Sequence, residues 1–360
     1  MQHNITYRER HGKIQVIVSY KNNSGKWRQR SAQGFAKKKD AKKAAEKILD
    51  ELKKAHSLQL NEEYEGITFA EFMEIHIEHL KLYKEPNTVT NYQQTAKKFS
   101  QLDNIGLDKI TTMHIQAAVD DMLRSGLKPS TINSHTNRLK TLLKAAMSQY
   151  KIIARNPAEY IVVPEDKKKK DKDKALSKKD LEGLLGSITS QKKHAMSLLA
   201  AKCGLRLGEI VGLTWDDIDM KKGLVDINKQ WKKRKDGTWG FGELKSKASY
   251  RVVPAPKAVL VELHKYRQMH PASMDRRLFS YSMPGAAGTE LNNYYKALGY
   301  NISIHDLRHT FATMLIAGGM DFRTAAQILG HTPEETIRTY SHVTSDMMER
   351  ASAAIEDIFG

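Results

Sequence analysis

Cysteine and long apolar runs are scarce in this sequence, and basic residues outnumber acidic ones. Its 360 residues include one cysteine, Cys203, which excludes an internal disulfide framework and a cysteine-rich zinc site. No apolar run approaches the ~18 residues that a membrane span needs. Residues 1–13 lack the hydrophobic core of a signal peptide. We therefore expect an intracellular, cytoplasmic protein that does not associate with membranes.

The deficit of negative charge points to a polyanionic partner. Lys and Arg total 59 against 41 Asp and Glu, so the formal net charge is +18. Nucleic acid is the commonest partner of such a surplus. An acidic membrane surface is the rival, and it is disfavoured because no long basic amphipathic helix with an aromatic face is present. The length allows two or three domains.

Residues 1–60 form a basic module, with 15 Lys and Arg against 5 Asp and Glu. The alternation in KIQVIVSY predicts a strand with Ile14, Val16, Val18 and Tyr20 on one face. NNSGK predicts a turn and KWRQRSA a second strand, and a lysine-rich helix follows over about residues 37–54. Such a module could lay a strand ribbon into a DNA major groove. The candidate contacts are Arg8, Arg10, Lys26, Arg28 and Arg30, for which a solvated basic face is the alternative.

Residues 64–162 are predicted to be helical. Thr68 is typical of an N-cap with Glu71 in the capping-box position, and further helices are expected to begin at Asn87 and Ser130. Amphipathic spacing recurs at Ile132, Leu139, Leu142 and Leu143. This module presents polar residues that could meet a DNA backbone, namely Lys128, Asn137, Arg138, Lys140 and Lys144.

The charge run PEDKKKKDKDKALS (164–177) has no apolar periodicity and predicts a basic linker. It is a plain tether or one that lies along DNA. The third module begins near residue 176 and is predicted to be mostly helical. Strands are expected in one β-rich insert around residues 224–254.

The stretch HDLRHT (305–310) could be either a zinc site or a phosphate grip. Helical spacing predicts a buried face with Leu307, Phe311, Met314 and Gly318, and an open face with His305, Arg308, His309 and Ala312. Zinc is disfavoured, since Asp306 replaces the glutamate of HExxH and Arg308 puts a fixed positive charge beside a dication. A phosphate clamp by His305 and Arg308 fits better, because guanidinium offers phosphate a bidentate fork. His309 alone is explained by a structural hydrogen bond.

Three further motifs accompany HDLRHT. GLRLGE places Arg206 at a helix start with Glu209 three residues later, LKSK contains Lys245, and LGHTPEETIRTY contains His331 and Tyr340. The ordered set resembles the active-site pattern of the tyrosine recombinases, and of the phage-type integrases in particular: Arg206, Lys245, His305, Arg308, His331 and Tyr340. The resemblance extends over the whole chain, and Cys203 stands where threonine is common in the family.

The resemblance implies a multi-domain architecture. Residues 1–60 would be a small α+β arm-type DNA-binding domain, with a three-stranded sheet and one helix. Residues 64–162 would be an all-α core-binding domain, and 163–175 the basic linker. Residues 176–360 would be a mainly α catalytic domain with a small β-sheet.

The resemblance also implies a metal-free phosphoryl transfer. Tyr340 would attack the DNA phosphorus to give a 3′-phosphotyrosyl bond, while Arg206 and Arg308 clamp the non-bridging oxygens and His331 donates a hydrogen bond. His305 would accept or relay the tyrosine proton. Lys245 would protonate the leaving 5′-oxygen, with Lys247 on the same strand face as the alternative. Glu209 would orient the site. No cofactor is expected, and the sequence has neither a GxxxxGK[ST] loop nor a paired-carboxylate metal cluster.

The partners implied are DNA attachment sites of core and arm type, together with other copies of the chain. A tetramer would form on DNA by exchange of the C-terminal tail, which carries Met347, Met348, Ala351, Ile355 and Ile358. An excisionase and a host DNA-bending protein would act with it in a bacterial cell. The expected activity is integration and excision of a mobile element, phage or conjugative, through a Holliday junction. The alternatives are a regulatory DNA-binding relative without catalysis and a chromosome-dimer-resolving recombinase.

Overall fold

The computed structural model describes residues 1–10, 12–22, 25–57, 60–165, 175–270 and 274–340, together with 352, 355–357 and 359. The chain divides into two compact units, Met1–Lys168 and Lys169–Gly360. Most of the predicted linker lies outside the described residues, as do Met347, Met348, Ala351 and Ile358 of the tail. Within the described part, no helix combines the length and the apolar character that a membrane span requires.

The first unit begins with a three-stranded antiparallel sheet backed by one helix. Strands β1 (His3–Arg10), β2 (Lys13–Lys21) and β3 (Trp27–Phe35) lie in that order, and α1 (Lys38–Ser57) covers one face. The alternation in β2 buries Val16 and Val18 in a cluster with Ala41 and Ala45 of α1, and none of these four side chains is accessible to solvent. The sheet and helix predicted for this module are confirmed.

Four longer helices follow in the first unit: α2 (Phe69–Tyr83), α3 (Pro86–Lys98), α4 (Thr112–Arg124) and α5 (Pro129–Ser148). The capping box at the start of α2 is confirmed, because the Thr68 N–H donates to a Glu71 carboxylate oxygen at 2.8 Å. The predicted starts at Asn87 and Ser130 are wrong by one residue. Each helix begins at the preceding proline, whose fixed φ suits the first helical position. Helix α4 was not predicted.

The core of these helices follows the spacing seen in the sequence. Ile132, Leu139, Leu142 and Leu143 of α5 are fully buried, as predicted. They pack in one cluster with Phe69, Phe72 and Ile115, among others. These four residues form an apolar stripe that buries one side of α5. The opposite side of the helix stays available to a ligand.

The second unit is mainly helical, with two small sheets. Its helices are α6 (Lys178–Ser187), α7 (Gln191–Cys203), α8 (Leu207–Gly212), α9 (Lys257–Met269), α10 (Pro284–Ala297), α11 (Ile304–Ala317), α12 (Phe322–Leu329) and α13 (Pro333–Tyr340). Its strands are β4 (Ile218–Asp219), β5 (Leu224–Ile227), β6 (Gln230–Lys233), β7 (Trp239–Gly242) and β8 (Arg251–Pro254). Strands β4, β5 and β8 form one sheet, and β6 pairs with β7 in the other. The predicted fold class is confirmed.

Helix α7 is the centre of the second unit. Met196, Leu199 and Ala200 are fully buried in it, and both α9 and α11 pack against it. A helix surrounded in this way is apolar on most sides. The end of α7 and the flank of α11 are thereby fixed beside each other, and the predicted site residues come from the segments around that junction.

Candidate active site

Arg206 lies between α7 and α8, at a chain reversal that requires glycine. Gly204 follows α7 in the left-handed conformation with φ of 67°, and a Cβ there would lie 2.5 Å from the Phe311 ring. Arg206 Nη1 donates to Glu209 Oε1 at 2.9 Å, and Nη2 donates to the Gly330 carbonyl at 2.8 Å. The Arg206 side chain remains 32% exposed. The guanidinium is therefore held firmly while part of it stays open to a ligand.

Glu209 is buried between two arginines. Its two carboxylate oxygens accept from Arg251 at 3.1 and 2.9 Å, and Oε2 also accepts from the backbone N–H of Arg206 at 2.8 Å. Burial alone raises the pKa of Glu209, but the hydrogen bonds and charges of Arg251 and Arg206 outweigh it and lower the pKa below its usual value. Glu209 is therefore ionised at neutral pH and orients both guanidinium groups.

Arg308 is buried, which corrects the prediction that it lies on an open face of α11. Its side chain is 2% exposed, and Ala312, placed on the same open face, is fully buried too. Phe311 and Met314, predicted to be buried, are only partly so, and Gly318 is exposed. The burial of Arg308 is tolerated because its Nη1 donates to the Gly204 carbonyl and its Nη2 to the Leu329 carbonyl at 2.5 Å. Helical periodicity alone places an arginine in solvent, because it contains no information about carbonyl groups of other segments that could accept its hydrogen bonds.

His331 follows the left-handed Gly330 that ends α12 and lies against Arg308. Its Nε2 is 2.8 Å from Arg308 Nη2. Since guanidinium can only donate, Nε2 accepts, and the proton of the neutral ring is on Nδ1. Burial and the charges of Arg308 and Arg206 lower the pKa of His331 to about 4. The Nδ1 atom is buried and has no hydrogen-bond partner among the described residues.

Tyr340, the last residue of α13, contacts His309 rather than His305. Its hydroxyl lies 3.2 Å from His309 Nδ1, and the two rings stack at 5.1 Å between centroids with 28° between their planes. Tyr340 is 6% exposed, and burial raises the pKa of its hydroxyl, whereas the charges of Arg308 and Arg206 act to lower it. The prediction that His305 is the histidine beside Tyr340 is thus corrected: the contact is made one helical turn later.

His305 occupies the second position of α11, and its side chain is exposed. Partial desolvation and the charge of Arg308 lower the pKa of His305, so its ring is neutral at neutral pH. Its position at the start of the same helix keeps it on the rim of the arginine cluster. His305 and His309 therefore have different environments, one open and one packed against the tyrosine.

Lys245 and Lys247 are exposed in the segment between β7 and β8. The prediction that they share a strand face is wrong, because Lys247 begins a short 3₁₀ helix, Lys247–Ser249. No hydrogen bond or ion pair joins either lysine to the arginines within the described part of the chain. The structure therefore brings five of the six predicted site residues, with Glu209, to one junction.

Arg251 belongs to the site but was not singled out from the sequence. It lies in β8 two residues before the fully buried Val253, so both side chains share one face of the strand. An arginine on the same strand face as a buried valine needs buried hydrogen-bond partners. This two-residue spacing was the sequence signal that could have identified Arg251. The short β8 and the many lysines around it obscured the signal.

The candidate DNA contacts of the first module fall on different faces of the sheet. In the β2–β3 register, Arg30 is opposite Val18 and Arg28 is opposite Tyr20, so both arginines lie on the side covered by α1. Arg30 forms ion pairs with Glu51 at 3.5 Å and with Glu65. Arg30 is thus corrected from a ribbon contact to a structural ion pair. Arg8 is opposite Gln15, on the uncovered face, and is exposed.

Of the remaining candidates, those that the structure describes are exposed or half-buried. Lys26 is exposed beside the β2–β3 turn, and the side chain of Arg10 lies outside the description. On α5 and its N-cap, Lys128, Asn137 and Lys144 are exposed, while Arg138 and Lys140 are half-buried at the borders of the apolar stripe. The surface of α5 opposite that stripe is accordingly polar and basic.

Family models match three successive segments of the chain. The description "Phage integrase family" matches residues 174–347, "Arm DNA-binding domain" matches residues 4–52, and "Phage integrase SAM-like domain" matches residues 68–169. The class of protein defined by these matches is the DNA recombinases. This chain belongs to the phage integrase family of tyrosine recombinases, whose members are site-specific recombinases.

Individual relatives are distant but extensive. A "Tyrosine recombinase XerC-like" protein of Caldanaerobacter subterraneus subsp. tengcongensis is 25% identical, over 89% of this chain and 90% of the relative. The integrase of transposon Tn1549, solved in complex with a circular intermediate DNA, aligns with a TM-score of 0.68 at 21% identity, over 80% of this chain and 99% of that one. A lambda integrase tetramer bound to a Holliday junction aligns at 0.56 with 18% identity, over 91% and 95%. Both structural likenesses concern the fold.

Proposed function

We propose that this protein cuts and rejoins DNA at specific sites through a covalent bond to Tyr340, and that it integrates and excises a mobile element. The observation that carries the proposal is a buried tyrosine hydroxyl within the field of two fixed guanidinium groups. Burial raises the pKa of that hydroxyl above its usual value, and the charges of Arg308 and Arg206 act against this rise. A tyrosine with a pKa of about 10 or above is a poor nucleophile at neutral pH, so these charges and a proton acceptor are what the reaction needs.

In the proposed cleavage step, the Tyr340 oxygen attacks the phosphorus of the scissile phosphodiester. A bond from this oxygen to phosphorus forms, and the bond from phosphorus to the 5′-oxygen breaks. The products are a 3′-phosphotyrosyl linkage and a 5′-hydroxyl end. Negative charge accumulates on the non-bridging oxygens in the transition state, where preorganised donors are most effective.

Arg206, Arg308 and His331 are the proposed donors to the phosphate. Arg206 is the guanidinium that keeps exposed surface. The Nδ1–H of His331 is a buried donor without a partner among the described residues, so a phosphate oxygen would satisfy it. Arg308 stays protonated and supplies positive charge at the site. A cluster whose donors are already fixed by protein carbonyls needs little reorganisation when the charge develops.

Two proton transfers complete the proposed chemistry. His309 Nδ1 lies 3.2 Å from the Tyr340 hydroxyl and is within reach to accept its proton. The departing 5′-oxygen must gain a proton, and Lys245 is the proposed donor, with Lys247 as the alternative. His305 helps to place the phosphate at the rim. Religation reverses these steps with a different strand's 5′-hydroxyl, so the bond energy is conserved and neither ATP nor a divalent metal is required.

The mobile-element role is supported by the basic three-stranded sheet module. Residues 4–52 match the arm DNA-binding domain, and Arg8 is exposed on the uncovered face of that sheet. We propose that this module binds arm-type sites while α5 and its neighbours bind core-type sites. Four copies would exchange strands through a Holliday junction, with an excisionase and a host DNA-bending protein setting the direction.

The test is a nicked suicide substrate that carries the attachment site bordering the gene. We expect a covalent protein–DNA adduct that forms in the presence of EDTA. The adduct should be absent for Tyr340→Phe, which keeps the ring and removes only the nucleophile. Failure of the wild-type protein to form an adduct on a verified binding site would sink the catalytic proposal and favour a DNA-binding role alone.

A further inference from the structure

Three guanidinium groups converge on three successive carbonyl groups at the end of α12. Arg251 Nε donates to the Ile328 carbonyl at 2.7 Å. Arg308 Nη2 donates to the Leu329 carbonyl at 2.5 Å, and Arg206 Nη2 donates to the Gly330 carbonyl at 2.8 Å. The last carbonyl groups of a helix have no partners within the helix, and they carry the negative end of its dipole. The arginines therefore satisfy and fix this helix end.

The backbone at Gly330 is closely packed against the segment before β8. Gly330 has φ of 63°, and a Cβ on it would lie 2.9 Å from Arg251 Nη1 and 3.1 Å from Ser249 Cα. The segment before β8 thus touches the turn that leads directly into His331. The backbone N–H of His331 also donates to the Ala326 carbonyl at 3.0 Å, which ties His331 to the last turn of α12.

Arg251 is closed to solvent, as Arg308 is, whereas Arg206 keeps exposed surface. The Arg251 side chain is 5% exposed. Besides the Ile328 carbonyl it donates to both oxygens of Glu209 at 3.1 and 2.9 Å, and to the Ser249 carbonyl at 2.9 Å. All three of its nitrogen atoms are thus engaged by protein groups. A DNA phosphate is consequently not its partner.

We propose that Arg251 is a positioning residue for the strand-cleavage reaction, acting on Arg206 through Glu209 and on His331 through the end of α12. This inference rests on the proposed function. Without Arg251, the Glu209 carboxylate keeps only Arg206 and can turn with it, and the Ile328 carbonyl loses its donor. The phosphate donors then lose their alignment while the DNA-binding surfaces remain unchanged.

The experiment compares Arg251→Met and Arg251→Lys with the wild-type full-length protein. Lysine keeps the charge but cannot hold both Glu209 oxygens and the Ile328 carbonyl together. We expect the rate of adduct formation at saturating DNA to fall by about 10- to 100-fold for both variants, because misplacing the reacting groups by about 1 Å can cost about 100-fold. The dissociation constant for the same DNA should stay unchanged.

Arg277→Met is the matched control for a purely structural effect. Arg277 is also a buried arginine of the second unit, with Asp275 at 2.6 Å and the Tyr281 carbonyl at 2.9 Å. These two partners, and the Trp231 ring that its guanidinium faces at 3.5 Å, are not among the proposed site residues. We expect Arg277→Met to lower the unfolding temperature without lowering the cleavage rate of the folded protein. An equal rate loss in Arg251→Met and Arg277→Met would overturn the positioning role of Arg251.

Two further readouts separate this inference from the proposed function. In a double-mutant cycle, Arg251→Met and Glu209→Gln together should cost less than the product of their separate rate losses, because both changes release Arg206; fully multiplicative losses would contradict the route through Glu209. Amide hydrogen exchange at His331 should accelerate in Arg251→Met and not in Arg277→Met, whatever the activity. Wild-type protein without any adduct would defeat the proposed function, whereas normal rates in both Arg251 variants would defeat only this inference.

Discussion

The hydroxyl of Tyr340 lies 3.2 Å from Nδ1 of His309, with the two rings stacked. His305, the first histidine of the same motif, is exposed at the start of α11. The two histidines are one helical turn apart, and α13 packs on α11 so that its last residue meets the second of them. The proposed assignment of His309 as the proton acceptor of Tyr340 therefore rests on the contact between α11 and α13.

His309→Phe is expected to slow adduct formation by about 10²- to 10⁴-fold, the usual contribution of a general base. Phenylalanine preserves the stacked ring and removes the acceptor nitrogen. His305→Phe should reduce the rate by a smaller factor, because His305 is not beside the hydroxyl. The measurement is single-turnover cleavage of the suicide substrate at saturating protein. A larger loss in His305→Phe than in His309→Phe would return the base role to His305.

Lys245→Ala should slow cleavage of ordinary DNA by about 100-fold or more, since an alkoxide leaving group needs a proton. DNA with sulfur at the 5′-bridging position should be cleaved at nearly the wild-type rate, because a thiolate leaves unprotonated. Lys247→Ala is the matched control variant, because Lys247 is a neighbouring lysine that is also exposed. Equal losses on both substrates for Lys245→Ala, with a selective loss for Lys247→Ala, would assign the acid to Lys247.

The lowered pKa of His331 predicts a pH dependence of stability. Its pKa falls from 6.5 to about 4 in the folded protein, so between these values the unfolded chain binds the extra proton. The stability linked to this residue is present above pH 6.5 and is lost as the pH falls from 6.5 towards 4. His331→Gln should remove this component, which thermal unfolding between pH 4 and pH 8 will measure. Parallel curves for the two proteins would contradict the buried neutral ring.

The sequence patterns predicted the fold better than they predicted the orientation of charged side chains. Alternation in β2, the stripe on α5 and the capping box at Thr68 are local, and each was confirmed. Five of the six residues in the site motifs also come together in the structure, while their catalytic roles stay predictions. Burial of Arg308 could not be predicted, because the carbonyl groups that accept its hydrogen bonds belong to Gly204, just after α7, and to Leu329 of α12. The same limit explains Arg251, whose partners are 42 and 77 residues away.

The faces of the N-terminal sheet provide the last prediction, in which two arginines of equal charge should behave differently. Arg8 is exposed on the uncovered face, whereas Arg30 lies on the α1 side and pairs with Glu51 and Glu65. Arg8→Ala should weaken binding to arm-type DNA. It should also flatten the dependence of log K on log salt by about one unit if the lost contact is one phosphate.

Arg30→Ala should leave the salt dependence unchanged and instead lower the thermal stability of the first unit, because it removes two ion pairs. Fluorescence anisotropy with arm-site DNA at several salt concentrations, together with thermal unfolding, measures both effects. A reduced salt slope for Arg30→Ala with none for Arg8→Ala would mean that the α1 side of the sheet, rather than the uncovered face, meets the DNA. The register of β2 with β3 argues against that outcome, since Arg30 shares its face with the buried Val18.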